Sequence, residues 1–150
     1  MAKVGRAARV ASKQRIETID GSSADATKVI GAAETGELYF IDATNDVVIT
    51  LPAPTSGAYF KFMISVVVGG GKSVIVKTVT EDTLMDGHLV QEAATGEIQA
   101  LSQSDASAND KVTFGAAVAA GSWLECYSDG TKWLCCGRAT GGTLAFGDQS

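Results

Sequence analysis

The chain has 150 residues, 45% of them apolar and 19% charged, with 17 glycines and a net charge of −5. That is length enough for one sizeable core and too much apolar content for wholesale disorder. The apolar share comes from Val, Ala and Ile rather than Leu, which favours strands and turns over a helical bundle, and the most apolar stretch, YFKFMISVVVGGG, falls short of the roughly 18 apolar residues of a membrane-spanning helix.

Residues 1–20 read as a basic arm. Lys3, Arg6, Arg9, Lys13 and Arg15 precede the first acid, Glu17, while residues 16–150 hold 17 acids against 7 bases. The arm has no strong apolar stripe and is expected to become ordered only against something else. No apolar run follows its bases, as a secretory leader would require. The acidic body disfavours broad contact with nucleic acid, whose phosphates would meet like charge.

Residues 21–150 are expected to form a single β domain. ELYFID (37–42) and DVVITL (46–51) are β-rich runs separated by a turn, and PAPTSG (52–57) stops the second with two prolines. AYFKFMISVVV (58–68) alternates Phe60, Phe62, Ile64 and Val66 on an apolar face with Tyr59, Lys61, Met63 and Ser65 on a mixed one. GGG (69–71) is expected to turn this run into KSVIVKTV (72–79) as a long hairpin. Then TEDTLMDGHLVQEAATG mixes turn residues with short apolar pieces. EIQALSQ (97–103) and KVTFGAAV (111–118) flank a polar loop, and ATGGTLAFGDQS reads as a Gly-rich tail. About eight short antiparallel strands predict an all-β fold, namely a β-sandwich, a jelly roll or a small barrel.

GSWLECYSDGTKWLCCG (121–137) holds both tryptophans and all three cysteines. Asp129-Gly130 between alternating apolar runs signals a hairpin with a two-residue loop. Cys126 then faces Trp133, and Cys126 and Cys135 are diagonal neighbours beyond disulfide reach. Leu124, Cys126, Trp133 and Cys135 share one face, while Trp123, Glu125, Tyr127, Lys132 and Leu134 share the other. A three-residue loop with a bulge would shift this by one. There is no Cys-x-x-Cys, and His88 is the only histidine, so the cysteines read as buried small hydrophobes and no metal or cofactor is expected.

Other chemistry finds little footing. Gly71-Lys72-Ser73 ends like a phosphate-binding loop, but Val66 stands where its first glycine belongs, and Val74, Ile75 and Val76 make a strand rather than the helix that motif needs. Glu81, Asp82, Asp86 and His88 form one cluster able to hold a cation, without the ligand order of a calcium loop. No nucleophile elbow or catalytic triad can be assembled, and the chain is expected not to be an enzyme.

VVITLPAPTSGAYFKFMI resembles a pattern of small β-rich structural proteins of tailed bacteriophages: a strand ending in I-T-L-P, a short Pro/Gly loop, then an aromatic strand. SDGTKWLCCG resembles the S-D-G-T-x-W hairpin that often closes the same modules. The two stretches cover about a fifth of the chain, and related patterns occur in head decoration (cement) proteins and in fibre or knob modules. The resemblance implies a virion structural protein, trimeric, seated on the capsid surface and made in the host cytoplasm. Its partners would be the major capsid protein and other copies of itself, with no direct nucleic-acid or membrane contact. Lys3, Arg6, Arg9, Lys13 and Arg15 are the expected capsid contacts, and Trp123, Tyr127 and Leu134 the expected subunit contacts. The alternatives are a fibre or knob subunit that binds a host glycan or receptor, and a β-barrel that binds a cation or small molecule through Glu81, Asp82, Asp86 and His88.

Overall fold

The computed structural model describes residues 14–104 and 108–149, in which twelve strands form two sheets around one apolar core. Among these residues there is no α-helix, only a 3-10 turn at Ala32–Glu34, and no helix is long and apolar enough to cross a membrane.

The first half of the fold is a coil. Strands β1 (Ile16–Asp20), β3 (Leu38–Asp42) and β5 (Tyr59–Val66) lie side by side and parallel in the larger sheet. Strands β2 (Ala26–Val29), β4 (Val47–Thr50) and β6 (Val74–Lys77) do the same in the smaller one. The chain therefore crosses between the sheets at every step, and equivalent residues stack from turn to turn. Ile19, Ile41 and Ile64 form one such row, all buried. The turns repeat as well. Asp20 and Asp42 each accept a backbone N–H two residues on, and Asp25 and Asp46 each accept one from the next turn, at Asp46 and Ser73. Lys72 bridges the carboxylates of Asp25 and Asp46 at 3.3 and 3.0 Å.

The second half closes the sandwich. Strand β7 (Met85–Glu92) forms an antiparallel hairpin with β8 (Ile98–Gln103), and β10 (Trp123–Ser128) forms one with β11 (Trp133–Thr140). The larger sheet runs β1-β3-β5-β10-β11-β7-β8, with β11 and β7 parallel. The smaller sheet runs β12-β9-β6-β4-β2, where β9 is Lys111–Phe114 and β12 is Leu144–Gly147. Phe60, Phe62, Phe114, Trp133 and Tyr39 fill the space between them.

The all-β expectation holds as a two-sheet, sandwich-like arrangement, but the strands number twelve rather than about eight and are not uniformly antiparallel. Within the segment read as the arm, Ile16–Asp20 is already a strand. Residues 58–68 and 72–79 do not form a hairpin. β5 has its two lateral partners in β3 and β10, so the chain steps over to the other sheet, where β6 pairs with β4 and β9. The glycines serve that crossing: a Cβ on Gly69 would lie 2.3 Å from the Thr44 carbonyl oxygen.

Two local corrections follow. Ser65 is an extra residue in β5, its hydroxyl donating to the Ile41 carbonyl at 2.8 Å, and this bulge turns Val66 out of the apolar face. In the last hairpin Ser128 pairs with Trp133, so the loop has four residues instead of two. The Asp129 carboxylate causes this, accepting the backbone N–H of Thr131 and Lys132 at 2.8 and 2.9 Å. A shift of two keeps the parity. Leu124, Cys126, Trp133 and Cys135 still face the core, but Cys126 now lies directly opposite Cys135 rather than diagonal to it.

Candidate functional site

The outward side chains of the larger sheet fall into rows that cross several strands. One row is Tyr59, Tyr127, Leu134 and Asp86. The next is Leu38, Lys61, Glu125, Cys136 and His88, and the third is Phe40, Met63, Trp123, Arg138 and Val90. These positions alternate with the buried residues of the same strands, which is why so many large apolar groups stand on an outer face. Tyr127 and Leu134 are 44% and 41% exposed. The polar row of Lys61, Glu125, Cys136 and His88 runs between the two rows that carry the aromatic side chains.

At its centre the face is tied together by an ion pair, a hydrogen bond and ring contacts. Lys61 Nζ lies 2.6 Å from Glu125 Oε1 and 5.3 Å from the centre of the Trp123 ring. Tyr127 donates its hydroxyl to Glu125 Oε2 at 2.8 Å and stacks on Tyr59 with ring centres 4.8 Å apart. The Lys61 ammonium holds the Glu125 carboxyl below its ordinary range, and Glu125 in turn raises Lys61. The hydrogen bond to the Glu125 carboxylate, with burial, pushes Tyr127 up to about 12. Burial first, then the charge of Glu125, raises the Cys136 thiol, which disfavours the thiolate a nucleophile needs.

Among the described residues, hollows open on this face at two places. One, of about 170 Å³, is lined by Gly87, His88, Tyr127, Leu134, Cys135 and Cys136. The other, of about 250 Å³, is lined by Ala120, Gly121, Ser122, Trp123, Arg138 and Thr140.

The structure brings Trp123, Tyr127 and Leu134 onto this one face, with Tyr127 directly opposite Leu134. Of the basic arm, Lys3, Arg6, Arg9 and Lys13 lie outside the described residues, and Arg15 is exposed and pairs with Glu37 at 3.3 Å. The proposed cation cluster does not assemble. Glu81 and Asp82 sit in the turn before β7, while Asp86 is engaged by Lys132 at 2.8 Å and held low by it.

Among the described residues the acids whose ligand atoms come within 4.8 Å of one another are Glu17, Glu34 and Glu37. The Lys28 ammonium stands among them, 2.9 Å from Glu17 and 2.8 Å from Glu34. Glu17 and Lys28 occupy inward positions of the first coil that hold Tyr39, Phe62, Ile49 and Val76 in the later ones. They end the apolar column with an ion pair, as a capping repeat does.

Sequence reasoning missed the half of the face contributed by Phe40, Tyr59, Lys61 and Met63. The mixed alternation of 58–68 marked Tyr59, Lys61 and Met63 as one side of a strand, but nothing in it said that β10 would be the neighbour. Compared with known protein families, with characterised proteins and with solved structures, the chain matches none.

Proposed function

We propose that this chain is a non-enzymatic structural protein of a tailed-phage virion, one that decorates and stabilises the capsid as an oligomer, a trimer by the resemblance. The observation that carries the reading is the outer face of the larger sheet, where Trp123, Tyr127 and Leu134 stand with Tyr59, Phe40 and Met63 in continuous rows. Self-association covers such a face. In this reading the bases Lys3, Arg6, Arg9, Lys13 and Arg15 supply salt-sensitive contacts to the major capsid protein, and repetition over many sites builds the affinity.

The test is the mass of the intact chain by sedimentation, beside a Leu134→Glu variant. Wild type is expected to sediment as an oligomer, and Leu134→Glu, folded by circular dichroism, as a monomer. A monomeric wild type overturns the reading. Removing residues 1–13, which leaves β1 and the Arg15–Glu37 pair in place, is expected to abolish co-sedimentation with capsids; undiminished binding removes the arm from the mechanism.

A second reading, a fibre or knob module that binds a host glycan, draws on the aromatic walls of the two hollows, Tyr127 in one and Trp123 in the other. Aromatic faces pack against the apolar faces of sugars, and polar groups such as His88 and Arg138 stand beside them. Binding on a glycan array that is lost in Tyr127→Ala or Trp123→Ala favours this reading.

A further inference from the structure

Cys126 and Cys135 face each other across β10 and β11, both buried and both free, with their sulfurs 3.5 Å apart. Directly opposed residues of an antiparallel pair have Cα atoms about 4.5–5.5 Å apart, inside the range that a disulfide bridges. Closing the gap to a bond of about 2.0 Å needs small side-chain rotations and leaves the strands where they are. The third thiol does not compete. Cys136 points to the outer face, where its sulfur lies 3.9 Å from Glu125 Oε2.

We propose that Cys126 and Cys135 are a cross-strand disulfide site, open in the reduced chain and closed by exchange with a small disulfide such as oxidised glutathione. The inference is independent of what the protein assembles with. One protein thiolate attacks a sulfur of the small disulfide, breaking its S–S bond and expelling one small thiolate. The second protein thiolate then attacks the mixed disulfide at the protein sulfur and expels the other. The two cysteines are oxidised by two electrons, the small disulfide is reduced to two thiols, and the two protein protons pass to the two leaving thiolates.

Burial sets the timing. Cys135 is 3% exposed and Cys126 is fully buried, and burial holds the Cys126 thiol well above its ordinary range. Exchange is therefore slow in the closed fold and fast whenever the hairpin opens or while it forms. The link joins neighbouring strands in the middle of the larger sheet, so it raises the stability of the closed form relative to the reduced one.

The experiment uses the full chain carrying Cys136→Ser, which leaves only the two facing thiols. It is refolded in mixed reduced and oxidised glutathione, and in parallel the native protein is held with oxidised glutathione at mildly alkaline pH. The expected result is the loss of both titratable thiols in a folded chain, with the tryptic peptide holding Cys126 linked to the one holding Cys135. The urea midpoint shifts upward, and dithiothreitol reverses the shift. A folded chain that keeps two free thiols by both routes, or carries only glutathione adducts, overturns the proposal. Wild type treated alike is the check on the substitution: peptide sequencing must place the link at Cys135, and a link from Cys126 to Cys136 overturns the proposal as well.

Discussion

Single residues carry consequences out of proportion to their size where two strands meet closely. Gly87 has φ +135°, and a Cβ there would lie 1.9 Å from the carbonyl oxygen of Cys135. The Asp-Gly pair at 86–87 reads as a turn in the sequence, yet it sits inside β7, because the glycine is what lets β7 lie against β11. Gly87→Ala is expected to cost about 3 kcal/mol or more in urea unfolding, since strain and a backbone clash combine and neither strand can give way alone. Asp129 acts through charge. Its carboxylate accepts two backbone N–H groups and the Thr131 hydroxyl, which hold it down to about 2 from its ordinary 3.8. A carboxyl whose folded value is depressed contributes its full stability above the unfolded value and loses it as pH falls towards the folded one. The window is therefore about 4 down to about 2. Asp129→Ala is expected to flatten the pH dependence of the unfolding midpoint across that window; the slope that remains includes Asp20, Glu34, Asp46, Asp86 and Glu125, which are also held low.

At the scale of the element, the coil of β1 to β6 explains what the sequence could and could not disclose. LYFID and VVIT are plain β-rich runs and YFKFMISV alternates, and each of those segments is a strand that buries every second residue, YFKFMISV as far as Ile64. Alternation states that a strand has a buried face; it does not state which strand lies beside it. So Gly69-Gly70-Gly71 suggests a β5–β6 hairpin, whereas the two strands lie in different sheets. The coil also hid behind uneven spacing. Paired isoleucines recur after 22 and 23 residues, but Ala26, Val47 and Val74 recur after 21 and 27, because the glycine crossing is longer. IETID and ATKV went unrecognised because Glu17 and Lys28 occupy inward positions and break the apolar pattern. A charge that caps the end of a column looks, in one dimension, like the edge of a loop. The row Ile19–Ile41–Ile64 gives the test. Ile41 has a buried neighbour on each side, so Ile41→Ala is expected to cost about 3 kcal/mol in urea unfolding, the usual loss for an unrelaxed cavity. The same truncation at Leu101, 72% exposed on β8, is expected to cost less than about 0.5 kcal/mol.

For the whole molecule, the two ends of the larger sheet are finished differently. At the β1 end the apolar column closes on the Lys28 ion pairs, and β1 itself buries Ile19. At the other end β8 buries none of its residues and leaves Ile98 66% and Leu101 72% exposed, held chiefly by its ladder to β7. Between them lie β5, β10 and β11, each bonded on both sides and each burying alternate residues in the core. Local stability should follow that gradient, because opening β8 exposes almost no new apolar surface whereas opening β10 exposes Leu124 and Cys126 and breaks two ladders. The same asymmetry explains why half of the candidate face was legible. Trp123, Tyr127 and Leu134 lie on a hairpin whose parity survives a shift of two, while their neighbours Tyr59 and Met63 come from a strand some sixty residues earlier. Hydrogen exchange of the intact chain reads the gradient directly. Amides of β8 bonded to β7 are expected to exchange about 100-fold faster, or more, than those joining β10 to β5 and β11. Equal protection at both places would mean that β8 is held by contacts its exposure does not reveal, and the weak end of the sheet would have to be sought elsewhere.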